Sequence, residues 1–125
     1  MIYFASNMGY VSYVYYLSDE DYIVVRFYSR GQRVVGFSVN YVSHIHGCEV
    51  TIRRYDMHHG KPHLDAYRKP IFKSVGGGRY RFVNAEQEKA WLKGEAGEIM
   101  RKGRRDIAEH WQRYRQAYIG SIKYR

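Results

Sequence analysis

Runs of tyrosine and β-branched residues alternate with turn-forming clusters over the first half of the chain. The runs occupy residues 10–16, 22–28, 33–42 and 48–55, and the clusters 18–21, 29–32 and 43–47 have hairpin length. This pattern predicts an antiparallel meander. Within it Val35, Phe37, Val39 and Tyr41 share one face, as do Cys48, Val50 and Ile52 on the next strand. Continuing the second face gives Arg54 and Asp56, so the fourth strand is expected to start apolar and end charged on the same side. A fifth strand is expected at residues 79–83, after Gly76-Gly77-Gly78. Residues 57–78 read as a long connection that forms part of a site, with 63–67 as a short paired segment inside it.

From Asn84 onward the period changes. Asn84 suits an N-cap and Gln87 the capping-box position. Leu92, Ala96, Met100, Gly103, Ile107, Trp111, Tyr114 and Tyr118 then recur in steps of three and four, which marks one face of a helix. Gly94 and Gly97 are expected to break it into a short helix and a longer one. Arg101, Arg104, Arg105, Arg113 and Arg115 fall opposite the apolar stripe. The expected fold is therefore α+β: an antiparallel β-meander of four to six strands with one or two C-terminal helices packed on one face. Residues 1–125 form one domain, with 1–83 as the β-rich sheet and 84–125 as a basic helical part.

Composition sharpens this picture. An apolar fraction of 45% and an aromatic fraction of 17% argue against disorder. Residues 1–18 carry no charge, but Ser6, Asn7, Gly9, Ser12 and five tyrosines interrupt them, so they read as strand rather than membrane segment or leader. The single cysteine, Cys48, has no internal disulfide partner and reads as a small buried strand residue. A cytoplasmic protein without a membrane partner is expected. The net charge is +9, made up of 0 over residues 1–48, +3 over 49–88 and +6 over 89–125. Charge concentrated toward one end points to a polyanionic partner, and RNA is the expected one.

Five of the six histidines lie close together, at His44, His46, His58, His59 and His63. Between Arg53 and Asp65 the chain supplies imidazoles that exchange protons near neutral pH, carboxylates that orient them, and cations that hold phosphate. One chemistry for this set is metal-independent RNA cleavage. An imidazole or carboxylate takes the 2′-hydroxyl proton, another imidazole protonates the departing 5′-oxygen, and a cation stabilises the phosphorane. His59 and His63 are then the acid–base pair, Asp56 or Asp65 the orienting carboxylate, and Arg54 with Lys61 the phosphate clamp. A second chemistry is a divalent-metal site built from Asp56, His59, His63 and Asp65, joined by His44 or His46. Gly60 and Pro62 disfavour the helix that the His59 and His63 spacing would suit.

A strand ending Arg54-Tyr55-Asp56, then Gly60-Lys61-Pro62-His63, then the aromatic strand Tyr80-Arg81-Phe82-Val83 and a helix resemble the small TumE-like toxins of toxin–antitoxin modules. The resemblance covers less than half of the chain. It implies a β-sheet with helix, and an RNA-cleaving toxin held in check by a cognate antitoxin. That family usually carries another histidine just after the segment matching His63. Here Leu64-Asp65 follows, which makes Asp65 a candidate for the missing role.

The expected function is thus a small basic endoribonuclease of toxin–antitoxin type, needing no cofactor. Its catalytic candidates are Arg54, Asp56, His59, His63 and Asp65. RNA would be gripped by Arg53, Lys61, Arg68, Arg79, Arg81, Arg101, Arg104 and Arg105, and a homodimer is compatible with this set. The rivals are a non-catalytic nucleic-acid-binding module, in which sheet tyrosines stack bases, a metal-dependent nuclease using the same cluster, and an interaction protein that docks a partner on its edge strand or helix.

Overall fold

The computed structural model describes residues 8–58 and 60–125. Six strands follow one another in a meander: β1 (Met8–Tyr16), β2 (Asp21–Arg30), β3 (Arg33–Ile45), β4 (Cys48–His58), β5 (Lys61–Gly76) and β6 (Arg79–Trp91). Each pairs antiparallel with the next, in the spatial order β1 to β6. One helix follows, α1 (Ala96–Gly120), and then β7 (Lys123–Tyr124), which pairs parallel with Ile71 and Phe72 of β5. The fold is α+β, with one C-terminal helix on one face of the sheet, as the periodicity implied. Among the described residues no helix is long and apolar enough to cross a membrane.

The turns follow from local chemistry. His46 and Gly47 both have positive φ, 53° and 74°. A two-residue hairpin loop of this kind matches the right-handed twist of its strands, and glycine meets the second requirement without strain. The core lies between the sheet and α1. Phe37, Val39 and Tyr41 of β3 and Ile23 and Val25 of β2 are buried against Ile99, Ile107 and Tyr118 of the helix.

Three expectations change. Residues 57–78 are not a loop: β5 runs from Lys61 to Gly76 and pairs with β4 on one side and β6 on the other. Register shifts at Arg68, Ile71 and Ser74 break its alternation, which is why no period was visible. The paired segment expected at 63–67 is part of this longer strand. Asn84 is not an N-cap, since it pairs with Ile71 inside β6, and 84–91 remain in the sheet. The helix-forming composition of Ala85-Glu86-Gln87-Glu88-Lys89-Ala90 is overridden by pairing with β5, and an exposed edge strand tolerates it. The helical part therefore begins at Ala96, after Gly94 with φ 140°, and Gly97 does not interrupt it.

The third change concerns facing. Between β3 and β4, Tyr41 pairs with Arg53 but Val42 pairs with Thr51, so Ile52 is an extra residue. This bulge resets the alternation. Arg53 and Tyr55 follow Val50 and Ile52 toward α1, and Arg54 and Asp56 turn to the opposite, open face. Arg54 and Asp56 thus do not continue the apolar face.

The helix sits close to the sheet at Gly103. A Cβ there would lie 2.6 Å from Cγ of Tyr55, inside any allowed contact, whereas at Gly120 it would meet nothing within 4 Å. Gly103→Ala is expected to destabilise the protein by about 1–3 kcal/mol through overpacking, while Gly120→Ala is expected to be close to neutral. Thermal unfolding followed by circular dichroism of both variants checks this, and equal melting temperatures would contradict it.

Candidate functional site

The register of four strands brings the central candidates together on the open face. Ser38, Asp56, His63 and Trp91 form one row across β3, β4, β5 and β6, and Asn40, Arg54, Asp65 and Lys89 form the next. Neighbours along a row are one strand spacing apart, roughly 5 Å. Asp65 is the centre: its Oδ2 accepts from Arg54 Nη2 at 3.3 Å and from His63 Nε2 at 3.2 Å. Arg54 Nη2 also donates to the Tyr67 hydroxyl at 3.0 Å. Burial pushes the Tyr67 phenol above its ordinary value; Arg54 opposes this, and Asp65 and Asp56 reinforce it.

The cluster is deeply set for a sheet face that, among the described residues, no helix covers. His63 is 4% exposed and Asp65 1%. Trp91 stands edge-on to the imidazole with ring centroids 5.4 Å apart, is itself 62% exposed, and has Lys89 over its ring. Asp65 already accepts from Arg54, so it is the acceptor toward His63 as well. Nε2 is then the donor of this pair, and in the neutral imidazole Nδ1 holds the lone pair.

Four buried polar atoms here have no hydrogen-bond partner among the described residues: His63 Nδ1, Asp65 Oδ1, Arg54 Nε and Asn40 Oδ1. A buried polar group left unpaired costs about 1–3 kcal/mol. Three of them belong to the side chains joined at Asp65 Oδ2, and Asn40 lies across from Arg54 on β3, so these unpaired atoms gather in one region of the sheet rather than being scattered through the core.

The remaining candidates are dispersed. His59 lies outside the described residues. Lys61 is exposed at the start of β5, near the cluster in sequence. Arg68 is exposed and pairs with Glu86 and Glu88. Arg79 and Arg81 are exposed at the far end of the β5–β6 hairpin. Arg101, Arg104 and Arg105 are exposed on α1, on the other side of the sheet from His63. Arg115 is drawn inward to Glu20, Asp21 and Ser43. His46 bonds the Tyr124 hydroxyl and packs with Tyr80 and Phe72, and His44 faces Tyr22, so neither joins Asp65. Among the described residues no three His, Cys, Asp or Glu side chains are grouped to hold a metal ion.

Arg53 is not on the open face at all. It points to α1, donates from Nε to Asp106 Oδ2 at 3.1 Å, and lies over the Tyr114 ring at 4.2 Å. Tyr55 and Tyr114 hydroxyls and His110 Nδ1 converge on the same carboxylate. Burial alone would raise the Asp106 pKa, but the hydrogen bonds from Tyr114 and Tyr55, the Arg53 charge and the His110 bond outweigh it, and the carboxyl is held below its ordinary value. Burial and the bond to Asp106 push Tyr55 up to about 12.

Sequence reasoning missed Tyr67, Asn40, Lys89 and Trp91. The first could have been found by carrying the His63 and Asp65 alternation two residues further; the others depend on β3 and β6 register, which no local pattern encodes.

Residues 8–75, spanning β1 to β5 and just over half of the chain, match the model of a domain of unknown function, DUF7718. The chain belongs to that family. Comparison with curated proteins and with solved structures gave no match. The segment matching DUF7718 contains Asn40, Arg54, Asp56, His63, Asp65 and Tyr67, whereas Lys89, Trp91 and Asp106 lie beyond it.

Because the Asp106 pKa is depressed in the folded state, its contribution to stability is present above the unfolded value of about 4 and is lost as pH falls through the folded one. Asp106→Asn removes that charge at every pH. The wild-type protein is therefore expected to exceed the variant in urea resistance at pH 6 to 7, with the gap closing below roughly pH 4. A gap constant down to pH 2 to 3 would contradict the assignment.

Proposed function

We propose that this protein is a small endoribonuclease whose reaction centres on His63. The observation that carries the reading is the buried trio in which Asp65 Oδ2 accepts from both Arg54 and His63 while His63 Nδ1, Arg54 Nε and Asp65 Oδ1 have no partner among the described residues. Nδ1 of His63 takes the 2′-hydroxyl proton as the 2′-oxygen attacks phosphorus. Asp65 holds the imidazole in that tautomer and stabilises the imidazolium that results. Arg54, steadied by Asp65 and Tyr67, offers Nε to the charge that builds on the phosphorane. The proton for the departing 5′-oxygen is assigned to His59 on sequence grounds. Trp91, edge-on to the imidazole and exposed, is the neighbour whose indole could stack on a base brought to His63. Lys89, opposite Asp65 on β6, and Lys61, two residues before His63 on β5, are the lysines available beside the cluster.

A second reading is favoured by the tyrosines of the same face. Tyr10, Tyr16 and Tyr28 are exposed, with Tyr10 and Tyr28 ring centroids 4.8 Å apart, and such a surface stacks bases without cutting them.

Purified protein incubated with mixed RNA separates these readings. The expected outcome is cleavage that leaves a 2′,3′-cyclic phosphate and persists with a chelator. His63→Ala is expected to lower the rate by about 10²–10⁴-fold with RNA affinity little changed. Intact RNA bound equally by both proteins would favour the binding module. Intact unbound RNA, with His63→Ala merely less stable, would reduce the cluster to an internal brace.

A further inference from the structure

The sheet treats its two edges differently. β6, at one side, carries Arg79, Arg81, Glu86, Glu88 and Lys89, charges of both signs that discourage the addition of another strand. β1, at the other, runs from Met8 to Tyr16 with no charged residue and no proline, and among the described residues it pairs on one side only, with β2. Its side chains stand out on both faces. Met8, Tyr10, Val11, Val14, Tyr15 and Tyr16 are each between 39% and 69% exposed. An uncharged edge of this length, apolar on both faces, offers a continuous row of backbone donors and acceptors to any extended chain.

What flanks the edge selects the chain. Beside β1, on the helix side, a groove of about 300 Å³ is bordered by Tyr15, Arg101, Arg104 and Arg105, with Glu109 as its acidic member. Arg104 donates to the Tyr13 hydroxyl at 3.1 Å, which fixes one guanidinium directly against the strand. On the open side, Arg26 and Arg30 of β2 are exposed and lie opposite Ser12 and Met8. None of these five arginines has a carboxylate partner among the described residues. A second copy of this chain would set the same cations against each other. A nucleic acid would neutralise them but leave the backbone edge unused. An extended acidic polypeptide uses both.

We propose that β1 is a docking edge for an extended acidic segment of a partner protein, which adds as a further strand of the sheet and sets its carboxylates against Arg101, Arg104 and Arg105. The partner's alternate residues, on the open side, then lie along Tyr10, Val14 and Tyr16, next to Arg26 and Arg30.

Amide hydrogen exchange across Met8–Tyr16 tests this, with three probes: a short peptide alternating valine and glutamate, the same peptide with lysine for glutamate, and an oligouridylate. The glutamate peptide is expected to slow exchange across β1, and the lysine peptide is not. Its binding is expected to weaken by roughly tenfold or more in a variant carrying Arg101→Glu, Arg104→Glu and Arg105→Glu, three exposed positions whose change spares the core. Val14→Lys, which charges the edge itself, is expected to abolish protection while the circular dichroism spectrum stays native. Equal binding of both peptides, or no protection by either, would overturn the proposal. So would oligouridylate binding to the arginines with β1 exchange unchanged and no peptide effect, which would give the groove to nucleic acid. Slow exchange of β1 in the free protein together with a dimeric mass in sedimentation would give the edge to a second copy.

Discussion

A single carboxylate decides how this molecule is put together. Asp106 projects from the middle of α1 and receives Arg53 and Tyr55 from β4 together with Tyr114 and His110 from its own helix. Four donors on one acidic group cancel the cost of burying it, which an isolated carboxylate in this position could not escape. The pairing works only because Gly103, one turn earlier, leaves room for the Tyr55 ring under the helix backbone. Helix position, rotation and distance from the sheet are thereby set at one point. Ile107 and Tyr118 then reach the core, and Arg115 reaches the β1–β2 turn at Glu20 and Asp21.

Committing α1 to one face leaves the other, among the described residues, to be finished by side chains of the sheet, and the bulge at Ile52 determines which ones. Without the extra residue, Arg54 and Asp56 would point into the apolar layer beneath α1, where neither could be solvated. With it, the ion-paired Arg53 takes the helix side and Arg54 meets Asp65 on the open side. One inserted residue therefore separates two networks that are adjacent in sequence: one gathered on Asp106 that holds the helix to the sheet, and one on Asp65 that leaves buried polar atoms without partners among the described residues.

The meander and the helix stripe were legible from local pattern, because tyrosine and valine runs between turn clusters, and apolar residues in steps of three and four, express the two backbone periods directly. What stayed hidden was non-local. β5 was obscured by its own register shifts and by charged residues that suit an open face, and 84–91 have a composition that favours helix until β5 offers them a pairing edge. The membership of the site shows the same division. Arg54, Asp56, His63 and Asp65 could be named because they lie within a dozen positions of one another. Asn40, Lys89 and Trp91 enter only through cross-strand register, and Arg53 leaves the set because a bulge cannot be read from alternation.

The same geometry constrains how positive charge can be used. Net charge of +9 draws polyanions to the molecule as a whole. Yet the arginines of α1 and the His63 cluster are separated by a sheet and a helix, roughly 10 Å each across, which is a Debye length or more at physiological salt. Charges at that separation assist encounter and contribute little to holding a phosphate beside His63. A phosphate beside His63 would therefore rely on Arg54, Lys61 and Lys89, since Arg26 and Arg30 of the same face lie three strands away on β2, and Arg54 already donates to Asp65 and Tyr67. A site of that kind would grip a backbone weakly and orient it through a few directed bonds, whereas the arginines beside β1, which have no carboxylate partner among the described residues, form a separate cationic patch. An acidic strand added at β1, as proposed, and an RNA held beside His63, as proposed, would thus draw on different cations.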